Sequence, residues 1–161
     1  MNINVLNELI KNFYLDNNEA RQHAEDYYFS YLNENPSLII LLLFQNIKEL
    51  KINVVYSMIL LKRIYINITD ATFNRICTET HQVISEQLCS LFLLDIENSY
   101  LLCDMCSTIF NVYIRKNMMK NFIGFLLEIV KKMELNYSLN SLDCIIQCYN
   151  IAKDFVFISF N

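Results

Sequence analysis

One glycine, Gly124, and one proline, Pro36, serve a chain of 161 residues. Strands that turn back on one another need residues that accept positive φ or pre-set a turn, and glycine and proline supply most of them. A β-rich fold would be starved of turns here, whereas helices joined by short polar connections need few. Apolar residues make up 54 % of the chain and charged residues 19 %, so there is enough apolar surface to bury a core within a single domain. The expectation is an all-α protein.

Hydrophobic periodicity places the helices. Val5, Leu6, Leu9, Ile10, Phe13 and Tyr14 mark the first, which Asp16-Asn17-Asn18 ends. The second carries Ala20, Ala24, Tyr27, Tyr28, Tyr31 and Leu32 on one stripe, with Arg21, Gln22, Glu25 and Asp26 on the other side. Asn33-Glu34-Asn35 closes it, and Pro36 suits the first turn of a third helix. That third helix contains Leu38–Phe44, an almost wholly aliphatic run. It is far short of the ~18–20 residues that span a bilayer. A helix apolar nearly all round must be covered on several sides, so it requires neighbours both before and after it; Leu42, in mid-run, is expected between them. Val54–Tyr65 forms a fourth helix ending near Asn67, and a long fifth helix is expected from Thr69 to Phe92. Leu101–Tyr113, Phe122–Met133 and Leu142–Val156 complete eight.

These pair as four hairpins, approximately 2–33, 36–67, 69–116 and 118–157, repeating every roughly 34 to 48 residues, the interval of HEAT and armadillo repeats. Periodicity alone fits both a right-handed α-solenoid of about four such hairpins and an ordinary eight-helix globular domain. In a solenoid, an interior helix touches its own partner and the next repeat, which accounts for Leu38–Phe44.

Charge and composition exclude several functions. Net charge is −4 and spread along the chain, with no basic stripe for a phosphate backbone, so nucleic acid is not expected as a partner. Twenty asparagines against four alanines read as a coding bias rather than a functional tract. The start, Met1-Asn2-Ile3-Asn4, has neither the basic region nor the apolar run of a targeting signal. Six cysteines without regular framework spacing suggest free thiols in a reducing compartment. Cys103, Cys106, Cys144 and Cys148 have pair spacings that could suggest zinc, but both pairs fall inside expected helices, where buried cysteines behave as small hydrophobes. His23 and His81 lie among polar residues and are expected at the surface. No oxyanion loop, phosphate-cradling loop or dinucleotide fingerprint can be built with one glycine. Neither an enzyme, nor a metal, nor a cofactor is expected.

Arg21-x-x-Ala24-Glu25, followed by Asn35-Pro36 and an apolar helix, resembles the start of the importin-β (karyopherin-β) family. "VVYSMILLKRIY", Val54–Tyr65, looks like that family's second-repeat helix, ending in Leu60-Leu61-Lys62-Arg63. "SEQLCSLFLLDIENSYLLCDMCSTIFNVYIRKN" is similar to the third repeat of the importin-5-like branch, and "FIGFLLEIVKKM" to the start of the fourth. The four stretches follow one another in the family's order over nearly the whole chain. Tyr56 and Met58 stand where the family often has small residues, and Val54 where it usually has Arg.

The resemblance implies the amino-terminal HEAT segment of a nuclear transport receptor, moving between cytoplasm and nucleus. It implies that the small GTPase Ran, in its GTP state, is received by the second helix of each hairpin, and that phenylalanine-rich nucleoporins bind the outer helices. Lys62 and Arg63 match the family's basic pair and would meet an acidic patch. Their alternative role is a solvated helix end favoured by the helix dipole. An unrelated all-helical interaction domain is the other function class. The final residues, Phe155-Val156-Phe157-Ile158-Ser159-Phe160-Asn161, lack the polar face of a capping repeat. They suggest a piece of a longer receptor, or a chain that covers this end by self-association.

Overall fold

The computed structural model describes residues 1–49, 53–92, 99–116 and 118, leaving out the side chains of Cys89, Phe92 and Ser99. Seven helices occur among the described residues, with no strand. They are α1 (Ile3–Asn12), α2 (Asn18–Glu34), α3 (Pro36–Lys48), α4 (Val54–Ile66), α5 (Asp70–Arg75), α6 (Thr78–Phe92) and α7 (Ser99–Arg115). The all-α reading holds. The expected hairpin at 118–157 lies, apart from Met118, outside the described residues. The chain divides into two compact units, Met1–His81 and Gln82–Asn161.

Asparagine provides the punctuation that glycine and proline do not. Asn2, Asn17 and Asn35 cap α1, α2 and α3, each side-chain oxygen accepting from a first-turn amide: Val5 at 3.0 Å, Glu19 at 2.9 Å and Leu38 at 3.0 Å. Pro36 opens α3, where its missing N–H costs nothing. Asn53, before α4, takes the left-handed conformation at φ 76°, ψ 22°, a region that asparagine tolerates better than other residues with a Cβ. Asn67 caps the other end of α4, its side chain donating to the Arg63 carbonyl at 2.9 Å.

In the first unit α3 is the central element, packing most extensively on α4 and also on α1, α2 and α5. Ile39, Ile40, Leu43, Phe44 and Ile47 are buried, as are Leu6 and Ile10 of α1, Ala24 and Tyr28 of α2, and Met58 and Leu61 of α4, the helices on which α3 packs. The aliphatic run is thus covered on several sides by helices before and after it. Leu42 is only half-buried, because it falls between the stripes that α3 presents to its neighbours. Inside this core Asn46 is fully buried, its amide donating to Asn7 Oδ1 of α1 at 2.8 Å and Ser57 Oγ of α4 at 3.3 Å. One side chain so ties three helices together.

The expected long helix 69–92 is two helices. Thr69 caps α5, Ile76 turns to extended backbone (φ −72°, ψ 127°), and α6 starts at Thr78. The Cys77 amide leaves the helical ladder and donates to Ser37 Oγ in α3 at 2.8 Å. Phe73, Ile76, Thr80, Ile84, Leu88 and Leu91 are all buried across the break. Their spacing runs on at three and four residues, so periodicity gave no sign of it. In the second unit α7 buries Leu102, Cys103, Met105, Cys106, Ile109, Phe110 and Tyr113.

Candidate functional site

The expected site residues lie on α4 (Val54–Ile66), and α2 (Asn18–Glu34) is the other helix expected to share their surface. Lys62 and Arg63 lie in the last two turns of α4. Leu61, Ile64 and Tyr65 are buried and hold this end of the helix against the core. Arg63 is exposed, while Lys62 is half-buried and already engaged in an interaction. The two basic residues are therefore not equivalent: Arg63 reaches solvent and Lys62 belongs partly to the fold.

Arg63 is electrostatically linked to α2. Tyr28 is 3 % exposed, and its hydroxyl has no hydrogen-bond partner among the described residues. Burial raises the Tyr28 hydroxyl well above the usual tyrosine range, and the positive charge of Arg63 works against that rise. Phe13 meets the Tyr28 ring edge-on at 5.9 Å, fixing it from the α1 side. Tyr14, after α1, packs on Tyr56 of α4 with centroids 3.8 Å apart, and Tyr14 is likewise raised, first by burial and then by Tyr56.

The tyrosines of α2 do not share one fate. The sequence pattern places Tyr27, Tyr28 and Tyr31 together on a buried stripe, but Tyr27 is 40 % exposed and Phe29 54 % exposed. Buried Ala24 and Tyr28 define the inward face, and Tyr27 sits on its edge. His23 lies nearly parallel to Tyr27, and Tyr27 meets Tyr31 edge-to-face, with centroids 4.8 Å apart and hydroxyls 3.2 Å apart. Their spacing of four residues was the available signal.

The other candidate groups separate widely. His23 is exposed, as expected. His81 is buried, contrary to expectation: α6 turns it onto Phe73, with ring centroids 4.3 Å apart and its Nε2–H donating to the Phe73 carbonyl at 3.2 Å. Desolvation holds the imidazole below its ordinary pKa, partly offset by that carbonyl. Cys77 is an exposed free thiol, 3.1 Å from Thr80 Oγ1. Hydrogen bonds from the hydroxyls of Thr80 and Ser37 and from the Thr80 backbone pull it below the usual thiol range, against burial and Glu79. Cys106 is a buried thiol outside any disulfide, whereas Cys103 is disulfide-bonded. The expectation of six free thiols is therefore wrong at Cys103, whose partner sulfur lies outside the described side chains. A cysteine at a buried helical position needs only a second sulfur brought close by folding, which spacing along the chain does not reveal. Cys144 and Cys148 also lie outside the described residues. Among the described residues, no group of three or more His, Cys, Asp and Glu side chains is placed to hold a metal ion. No described helix is long and apolar enough to cross a membrane.

No family model, no curated protein and no solved structure matches the chain.

Proposed function

We propose that the chain is an amino-terminal HEAT segment of an importin-β-like nuclear transport receptor, a scaffold that binds Ran in its GTP state. The carrying observation is the setting of Arg63, a charged side chain held in solvent at the end of a helix whose neighbouring residues are locked into the core. The central position of α3, packed on helices from both hairpins, supports the repeat-like reading of this unit. The finer architecture, a right-handed solenoid of about four hairpins, belongs to the same proposal. So do binding of phenylalanine-rich nucleoporins, passage between cytoplasm and nucleus, and self-association through the apolar end at 155–161.

The chemistry asked of Arg63 is that of an interface charge: it steers encounter and pairs with a carboxylate of the partner. Lys62, half-buried and engaged, contributes less. The experiment is a pull-down with Ran loaded with GTP or GDP. Retention of the GTP form alone, weakened about tenfold by Arg63→Glu and less by Lys62→Glu, is the expected result. Equal capture of both forms, or of neither, rejects this reading in favour of an unrelated helical interaction domain.

A further inference from the structure

We infer that Tyr14 and Tyr56 form an oxidative cross-linking site, whose two rings a one-electron oxidant joins carbon to carbon. Tyr14 lies in the turn between α1 and α2, and Tyr56 in the first turn of α4. Their ring centroids are 3.8 Å apart, with the planes at 64°. Rings at that separation already touch, so folding brings the reacting groups together before any radical exists. Most of the entropy cost of joining them is thereby met in advance. Tyr14 is 40 % exposed and Tyr56 39 %, so an oxidant in water reaches both. The pair Tyr27 and Tyr31 is less suited, with centroids 4.8 Å apart and both backbones fixed on one helix.

The chemistry balances without a bound cofactor. Each phenol gives up one electron and its hydroxyl proton, leaving a radical whose spin is shared between the oxygen and the two ortho carbons. One ortho carbon of each ring then forms the new C–C bond, and each ring regains aromaticity by passing its ortho hydrogen to the oxygen. Two electrons and two protons leave in all; hydrogen peroxide, acting through a haem peroxidase, takes them up and becomes two waters. Tyr14 sits outside the regular helices, so its backbone can follow the ring as a contact closes to a bond. The product holds α2 and α3 inside a covalent loop and pins the turn after α1 to the start of α4. Such a link removes freedom from the unfolded chain, as a disulfide does. The inference rests on this ring pair alone and stands apart from the GTPase reading of Arg63.

The test treats the full chain with a haem peroxidase and hydrogen peroxide over a series of protein concentrations, and reads the blue fluorescence of dityrosine together with peptide maps. The expected result is a peptide pair joined through Tyr14 and Tyr56, in a yield that does not depend on protein concentration. Tyr14→Phe and Tyr56→Phe keep the ring and lose the hydroxyl from which the radical forms. Each should abolish that link while circular dichroism stays as in the wild type, and Tyr27→Phe should leave the link unchanged. The cross-linked wild type should also unfold at a higher urea concentration than the untreated protein, a rise that Tyr56→Phe treated alike does not show. Absence of the link between Tyr14 and Tyr56 in the wild type, or a yield that climbs with protein concentration as coupling between chains would, overturns the inference.

Discussion

A buried imidazole makes stability depend on pH in a direction that can be stated beforehand. The pKa of His81 is lowered on folding because its ring is desolvated against Phe73. The unfolded chain therefore binds more protons near the ordinary histidine pKa than the folded one. The stabilising contribution is present above that value, about 6.5, and is lost as pH falls towards the lowered folded-state pKa. Urea midpoints measured between neutral and mildly acidic pH should fall with acid, and His81→Gln should flatten that slope. A slope unchanged in the variant would show that other groups carry it. The same residue marks where reading by local polarity fails. Thr78, Glu79, Thr80 and Gln82 surround His81 and suggest a wet helix face, yet Thr80 and His81 point inward. The turn at Ile76–Cys77 re-aims α6, and nothing in the local sequence announces that turn.

At the scale of elements, α3 separates what periodicity reveals from what it does not. Its existence, its Pro36 start and its need for neighbours on several sides follow from composition alone. Which leucine faces which neighbour does not, since in an aliphatic run every position looks equally suited to the core. Leu43 is fully buried and Leu42 is not. Leu43→Ala should cost roughly 2–5 kcal/mol in chemical denaturation, and Leu42→Ala distinctly less. Equal costs would mean that both sides of the run are covered alike. The α2 tyrosines repeat the lesson: the helix and its inward stripe are legible, but the exposed Tyr27 edge requires knowing how α1 and α3 seat against α2. The paired helix ends were easier, because each asparagine cap is a local event involving only the next three residues.

At the scale of the whole molecule, the cysteines give a direct count. A disulfide at Cys103 engages two of the six sulfurs, so the unreduced protein, denatured and titrated, should yield no more than four thiols. Six would place Cys103 in its reduced form. Cys77, exposed and with its thiol pKa lowered, should be the first of the described thiols to alkylate at neutral pH, ahead of buried Cys106; peptide mapping by mass spectrometry reads this directly. The central seat of α3 has a further consequence for inheritance. A surface helix can drift while its neighbours compensate one at a time, but Ile40, Leu43 and Asn46 sit where several helices meet. A substitution there demands simultaneous change in more than one partner, so viable lineages must move through rare coordinated steps. In a library of all single substitutions, α3 should be the helix of this unit with the fewest survivors, and α2, with most of its length in water, the one with the most.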